Sequence, residues 1–232
     1  MYVSAIVLAA GRGIRFKSRC PKPLVNINSK PLIIYSLETL SKSPLIKEII
    51  VVANSFNQKQ IIRRIKKYRL KKVMKIILGG KERQDSVFNG LKSINAAADL
   101  VLIHDAARPC INTKLILALI SESKKTGAAI AGVPVKATIK LAFSSQLSAV
   151  GRTVVKQTLD RENLWEIQTP QVFKKGLILE AYRKFGKSPV TDDAMLVEKL
   201  GRKVYLVLGS YNNIKITTPE DLLIAGAIIK GR

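Results

Sequence analysis

The sequence is poor in histidine, cysteine, aromatics and acid. Its 232 residues include one histidine, His104, which excludes any metal or catalytic centre built from several imidazoles. Two cysteines, Cys20 and Cys110, are too few for a disulfide framework, and a reduced, cytoplasmic setting is expected. No apolar run reaches the ~18–20 residues that span a bilayer. The opening Met1-Tyr-Val-Ser-Ala-Ile-Val-Leu lacks a basic leader region and reads as a first strand, not a secretion signal. Low complexity and internal repeats are absent. What is present is an ordinary globular mixture, 47% hydrophobic and 24% charged, in a chain long enough for one large core.

Charge is the anomaly. Forty Lys and Arg stand against sixteen Asp and Glu, a formal net charge of +24, so polyanions and phosphorylated metabolites are attracted. Between Lys59 and Lys75 there are nine basic residues and no acid. Ile61, Ile62 and Ile65 nevertheless sit at helical spacing within that stretch, which describes a helix with a buried stripe and a solvated cationic face. No aromatic interleaving or RNA-binding motif accompanies it. We read the excess as a compositional bias and expect neither a specific nucleic-acid partner nor a membrane partner.

Short apolar runs alternate with helical patterns. Strands are expected at Val3–Leu8, Ile49–Ala53, Val73–Leu78, Leu100–Ile103 and Ala128–Val133. Helices are expected at Leu32–Leu40, Gln58–Lys67, Gln84–Ile94 and Thr113–Lys124. This rhythm means βαβ units and an α/β fold, a Rossmann-like, mostly parallel sheet covered by helices on both faces. It breaks over about residues 134–158, where strand-like Ala137–Phe143 and Ser148–Val155 flank a polar turn and imply an inserted β-hairpin arm. An irregular stretch follows. Helices near Lys175–Phe185 and Asp192–Leu200, strands at Val204–Leu208 and Ile214–Thr217, and a last helix capped by Thr218 complete a single domain over residues 1–232.

The first strand runs into Leu8-Ala-Ala-Gly-Arg-Gly-Ile-Arg-Phe16 and then Pro21-Lys-Pro-Leu24. A glycine loop after the first strand of a parallel sheet lies at the edge where ligands bind. The third glycine of a dinucleotide fingerprint is missing, and no Gly-Lys-Ser/Thr makes a Walker loop. Small residues and bare backbone at Ala9, Ala10 and Gly11, followed by the cations Arg15 and Lys22, suit a nucleoside with a side-chain-gripped triphosphate. A second glycine stretch, Gly79-Gly-Lys-Glu-Arg-Gln-Asp-Ser-Val-Phe-Asn-Gly90, enters a helix. It can be a pyrimidine-contacting loop with Ser86 on the base edge, or an ordinary turn and helix cap. Asp105 ends a buried strand, where an acid can hold Mg²⁺ against phosphates, bind ribose, or simply pair with Arg108. His104 reads as a packed, satisfied histidine, and Trp165 as core.

Taken in order, these motifs resemble the nucleotidyltransferases that join a polyol phosphate to a nucleotide. Together with His104-Asp-Ala-Ala-Arg-Pro109, Arg161-Glu-Asn-Leu-Trp-Glu-Ile-Gln-Thr-Pro-Gln171, Thr191-Asp-Asp-Ala194 and Asn213-Ile-Lys-Ile-Thr-Thr-Pro-Glu-Asp221, they resemble the 2-C-methyl-D-erythritol 4-phosphate cytidylyltransferase family of the non-mevalonate isoprenoid pathway. The resemblance spans the chain. It implies CMP transfer from CTP to the polyol phosphate, with Mg²⁺ as cofactor and Asp105 as its ligand. It implies catalysis by Arg15, Lys22, Arg161 and Lys215, and a CTP site of Ala9, Ala10, Gly11, Gly80, Lys81, Arg83, Ser86 and Asp105. Arg108, Thr138, Thr169 and Thr191 would line the polyol phosphate pocket. It also implies a homodimer whose arm lends Thr138, Arg161 and Thr169 to the neighbouring active site. The chain departs from the pattern at Pro134-Val-Lys-Ala-Thr138, where the family usually has Asp at the place of Ala137. The alternatives are a ribitol 5-phosphate cytidylyltransferase, a sugar-1-phosphate nucleotidyltransferase and, from another class, a basic nucleic-acid-binding protein.

Overall fold

The computed structural model describes residues 1–11, 16, 20–144 and 153–231. Strand β1 (Val3–Leu8) is a buried inner strand of a sheet. It pairs in parallel with β4 (Ile46–Ala53) on one side and β6 (Leu100–Asp105) on the other. Between β1 and β4 a two-residue ladder, β2 (Asn26–Ile27) and β3 (Lys30–Pro31), leads into α1 (Leu32–Lys42). Beyond β4 lies the edge strand β5 (Val73–Leu78). On the far side of β6 come β10 (Trp165–Lys174), β7 (Ala128–Pro134) and β11 (Tyr205–Leu208). Among the described residues the order is β11-β7-β10-β6-β1-β4-β5, parallel except for β10, which is antiparallel to both its neighbours.

The central strands are apolar on both faces because helices cover both. On one face Ile33 and Leu37 of α1, Ile61 and Ile65 of α2 (Gln58–Lys67), and Ile116 and Leu119 of α4 (Thr113–Thr126) join the main cluster. On the other, Val87 and Leu91 of α3 (Arg83–Ser93), Ile178 and Tyr182 of α5 (Lys175–Phe185) and Leu196 of α6 (Ala194–Lys199) form a second one. Each such side chain removed from water stabilises the fold by roughly 1.5–3 kcal/mol before entropy is counted. Helix α2 exposes Lys59, Arg63, Arg64, Lys66 and Lys67 while burying Ile61 and Ile65, so the cationic run is a solvated face on an anchored stripe.

Four segments differ from the sequence expectation. The stretch read as irregular is β10, ten residues long and central. Polar Glu166, Gln168 and Gln171 and the presence of Pro170 hide it. A proline lacks the N–H that a ladder needs, and the pairing with β7 accordingly breaks register between Ile167 and Gln171. Residues Ile214–Thr217, expected as a strand, join no ladder, although Ile216 N–H donates to Ala107 O at 2.8 Å. Their neighbour is the turn after β6, which has no strand edge to offer. The arm strands lie C-terminal to the expected positions, at β8 (Lys140–Ser144) and β9 (Thr153–Thr158), paired antiparallel in a separate ribbon. Residues 148–152 of the expected second piece lie outside the described residues. Finally, α7 (Glu220–Lys230) is not capped by a hydroxyl. The Asp221 carboxylate accepts from Thr217 N–H at 2.6 Å and Thr218 N–H at 2.9 Å.

Candidate active site

Parallel strands end together, so the loops after β1, β5 and β6 share one edge of the sheet. Leu8 pairs with Asp105 in register, and the Ala9–Gly11 loop therefore leaves the sheet beside Asp105. The side-chain amides of Asn57 and Asn54 hold this loop by donating to Ala9 O at 2.9 Å and Ala10 O at 3.0 Å. Gly79 comes so close that a Cβ there would lie 2.7 Å from Ala10 Cβ and 2.5 Å from Ser86 Oγ. The two glycine-rich loops of the sequence are thus one surface. Ser86 is buried, accepts from Gly80 N–H at 3.2 Å and donates to Glu82 O at 3.1 Å. Its hydroxyl therefore shapes the loop. Lys81 stands exposed on the same loop.

The charged centre is built around Asp105. Its Oδ2 lies 2.6 Å from Lys215 Nζ and its Oδ1 3.5 Å from Arg83 Nε. Burial alone would raise this carboxyl, but Arg83 and Lys215 outweigh that and hold it well below the usual carboxylate range. Arg83, expected at the nucleotide, spans Asp105 and the buried Asp193, whose Oδ2 is 2.8 Å from Nη2. Tyr182 donates to the other Asp193 oxygen at 2.6 Å. Burial disfavours the Arg83 charge, yet Asp193 and Asp105 more than offset this and keep it protonated. Lys215 reaches Asp105 from the extended Asn213–Thr217 segment, which explains what that ladderless stretch does.

Arg108 is buried, with Nη1 donating to Asn213 O at 2.7 Å and Nη2 to Ile167 O at 3.4 Å. Among the described residues its buried Nε has no hydrogen-bond partner. Burial pushes its pKa down, opposed by Asp105 and Glu166. Thr169 Oγ1 accepts Asp105 N–H at 3.0 Å and faces His104 Nδ1 at 3.1 Å. Burial pushes His104 down to about 4, which leaves it neutral near pH 7. Arg83, Asp105, Arg108, Thr169, Thr191 and Lys215 line one cleft of about 580 Å³.

The structure does not bring every expected residue to this cleft. Lys22 sits half-buried in a short 3-10 turn, Lys22–Leu24, with Nζ 6.0 Å above the Phe16 ring. Thr138 is exposed just before β8, and Arg161 donates to Lys136 O; neither lines the cleft. Thr169, expected to be lent with them, lines the cleft of its own subunit, because β10 lies beside β6 and sets it against Asp105 and His104. Arg15 lies outside the described residues. Sequence reasoning missed Asp193, Asn213 and Gln168. Asn213 donates to Thr169 O at 2.9 Å and to Gln168 Oε1 at 3.1 Å, tying β10 to the segment that carries Lys215. The available signal was Thr191-Asp-Asp, two acids before an apolar helix; only Asp192 acts as the cap there, accepting Met195 N–H at 3.1 Å.

Among the described residues no three His, Cys, Asp or Glu side chains cluster as a metal cage. Asp105 does offer one hard oxygen donor at the cleft, with a loose contact to Arg83. That fits a Mg²⁺ ion of the kind held by one carboxylate and substrate phosphates, and not a resident structural ion.

The IspD family, 2-C-methyl-D-erythritol 4-phosphate cytidylyltransferase, matches residues 3–231. A 2-C-methyl-D-erythritol 4-phosphate cytidylyltransferase of Alkaliphilus oremlandii is 43% identical, covering 99% of this chain and 95% of the relative. One of Geobacillus thermodenitrificans is 42% identical over 100% of this chain and 99% of its own. Among solved structures, the 4-diphosphocytidyl-2C-methyl-D-erythritol synthase of Anaerococcus prevotii superposes with a TM-score of 0.82 at 33% identity, covering 99% and 98% of the two chains. The Thermus thermophilus 2-C-methyl-D-erythritol 4-phosphate cytidylyltransferase gives 0.78 at 29% identity, covering 99% and 100%.

Proposed function

The chain belongs to the 2-C-methyl-D-erythritol 4-phosphate cytidylyltransferase family, and from that premise we infer its reaction. It transfers CMP from CTP to 2-C-methyl-D-erythritol 4-phosphate, giving 4-diphosphocytidyl-2-C-methyl-D-erythritol and pyrophosphate, a step of isoprenoid precursor biosynthesis. The relatives do not favour the ribitol phosphate, sugar-1-phosphate or nucleic-acid readings. The observation that carries the site assignment is the junction of the two glycine loops with Asp105, whose charge is shared by Lys215 and Arg83. Bare backbone for a nucleoside and a cleft that offers Lys215 and Arg108 to phosphates lie side by side there.

We assign the roles as follows. A phosphate oxygen of the polyol phosphate attacks the α-phosphorus of CTP. The new P–O bond forms as the bond to the bridging oxygen of pyrophosphate breaks, and the electron pair leaves with pyrophosphate. The attacking phosphate is already anionic near pH 7, so no general base is needed. What the chain must supply is positioning and charge neutralisation. Lys22 and Arg15 stabilise charge on the triphosphate, Ala9, Ala10, Gly11, Gly80, Lys81 and Ser86 form the nucleoside loops, and Lys215 with Arg108 aims the incoming phosphate. Thr191 borders that pocket. Arg83 supports Asp105 from below. Asp105 would hold Mg²⁺ beside the triphosphate, where the ion neutralises phosphate oxygens.

The absence of Thr138 and Arg161 from their own cleft supports a homodimer in which each arm completes the other subunit's site. Exposed Phe143, Val154 and Val155 on the ribbon, each more than half accessible, are apolar surface that a second copy would cover. A cytoplasmic setting belongs to the same reading; among the described residues no helix is long and apolar enough to cross a membrane. Pyrophosphate release is the test, measured with CTP, UTP and GTP against methylerythritol 4-phosphate and ribitol 5-phosphate. The expected result is turnover with CTP and methylerythritol 4-phosphate alone. Preference for ribitol phosphate or for UTP would overturn it.

A further inference from the structure

The transfer as derived has no use for His104, yet this fully buried ring touches two parts of the cleft. Nε2 lies 3.2 Å from Arg108 O, and Nδ1 lies 3.1 Å from Thr169 Oγ1. A carbonyl oxygen only accepts, so Nε2 carries the ring proton. The same carbonyl takes a second hydrogen bond from Ser36 Oγ at 3.2 Å. With Nε2 protonated and the ring buried between a carbonyl and an alcohol, Nδ1 is a bare lone pair. Thr169 therefore donates to Nδ1. Its oxygen also accepts Asp105 N–H at 3.0 Å. The hydroxyl proton is committed and one lone pair is occupied, which leaves a single acceptor position on a residue that lines the cleft.

We infer that His104 is a positioning residue that turns Thr169 into an acceptor, so that Thr169 recognises a hydroxyl group of the polyol and not its phosphate. A phosphate dianion has no proton to give and would face the Thr169 lone pair, whereas an alcohol of the polyol chain donates to it. The inference rests on the cytidylyltransferase reading and deepens it by dividing the acceptor substrate between two groups of residues. Lys215 and Arg108 take the phosphate, and Thr169 reads the carbon chain. A site that satisfies a substrate hydroxyl discriminates against acceptors that lack it, because the protein partner is then left unpaired.

The two amide variants of His104 separate the two halves of the ring. His104→Asn keeps an acceptor where Nδ1 stands, and His104→Gln keeps a donor where Nε2 stands. His104→Gln should raise KM for methylerythritol 4-phosphate about tenfold, the size of one hydrogen bond that is no longer made. KM for CTP should stay within about twofold, a check that the fold and nucleotide loops are intact. His104→Asn should restore most of the polyol phosphate KM. Thr169→Val, which also leaves Asp105 N–H without its acceptor, should raise the polyol phosphate KM at least as much as His104→Gln, and the double variant should be no worse than Thr169→Val alone, since the polyol hydrogen bond can be lost only once. Should the histidine variants fail to fold, Thr169→Val against Thr169→Ser and the ring's own nitrogen resonances decide. With one histidine in the chain, ¹⁵N-labelled histidine reports this ring alone. The expected spectrum near pH 7.5 is the Nε2–H tautomer, with an Nδ1 signal that moves in Thr169→Val. An Nδ1–H tautomer, equal effects of the Asn and Gln variants, or additivity in the double variant would overturn the inference. Wild-type enzyme that releases no pyrophosphate from CTP and methylerythritol 4-phosphate would sink the functional reading instead, leaving the tautomer to be judged by the spectrum.

Discussion

Single atoms decide how tightly the nucleoside surface is built. A methyl group on Gly79 would stand 2.5 Å from Ser86 Oγ. That oxygen cannot swing aside without releasing Gly80 N–H and Glu82 O. Gly79→Ala should therefore displace the loop, raise KM for CTP about tenfold and destabilise the protein by roughly 1–3 kcal/mol. Urea unfolding and CTP titration check the two effects separately. Lys22 is a different case. Pro23 and Leu24 anchor its turn, while Lys22 itself is only half-buried, so Lys22→Ala should leave the urea midpoint nearly unchanged. If Lys22 neutralises charge in the transition state, kcat should fall about 10²-fold or more, the size of one lost oxyanion donor. Steady-state kinetics at saturating CTP will show it, and a normally active variant would remove Lys22 from the catalytic set. Both residues were legible in the sequence because glycine after a strand and a cation beside it have few other uses. Asp193 and Asn213 fall inside motifs of the resemblance, but what they do was not legible. Each is a buried polar group whose partner, Arg83 or Thr169, lies more than forty residues away, and no local pattern names that partner.

At the scale of elements, periodicity read best where strands are apolar on both faces and worst where a strand carries function. Strand β1 has the ends expected from its hydrophobic run, and so does the edge strand β5, although it is half-exposed. Strand β10 was invisible because Gln168 and Gln171, which line the cleft, and Pro170 between them break the apolar run that marks a buried strand. The burial of its last residues between β6 and β7 then decides the conformation. The start of α7 shows the same override on a smaller scale. A Thr-Pro-Glu-Asp sequence promises a hydroxyl cap, but the carboxylate of Asp221 collects the backbone donors. Burial would raise that carboxyl, and the N–H groups of Thr218 and Thr217 lower it more. A depressed folded-state pKa means that the stabilisation is present above about pH 4, the unfolded value, and is lost as pH falls through the folded one. Asp221→Ala should cost about 0.5–2 kcal/mol at pH 7, a thermal midpoint roughly 1–8 °C lower for a domain of this size. The gap from wild type should narrow in melts below about pH 4. A constant gap would assign the loss to packing and not to the charged cap.

For the whole molecule the arm is the decisive part. If Arg161 serves the neighbouring subunit, two inactive variants can complement each other. Lys22→Ala is broken in the core and Arg161→Ala in the lent part. Unfolding and reassembling equal amounts makes about half the dimers mixed, and each mixed dimer holds one intact site of two. Activity should recover to about a quarter of wild type. A mixture that stays inactive while light scattering confirms mixed dimers would mean that Arg161 acts within its own subunit.

From the sequence alone came the α/β class, the alternation of strands and helices, the phosphate-handling chemistry and the family. Those properties reside in local patterns: runs of apolar residues, glycines after strands, and cations and acids at strand ends. Tertiary structure alone decided three things. It inserted an antiparallel β10 between parallel β6 and β7, because only that placement buries Val172 and Phe173 on the two faces of the sheet. It carried Lys215 on an unpaired extended segment to within 2.6 Å of Asp105. It also surrounded that carboxylate with Arg83, held from behind by Asp193. Charges that lie far apart in the chain meet only after the core has closed, and the burial of the Asp105 and Asp193 carboxylates then makes their pairing obligatory, since an unpaired charge in either position would not be tolerated.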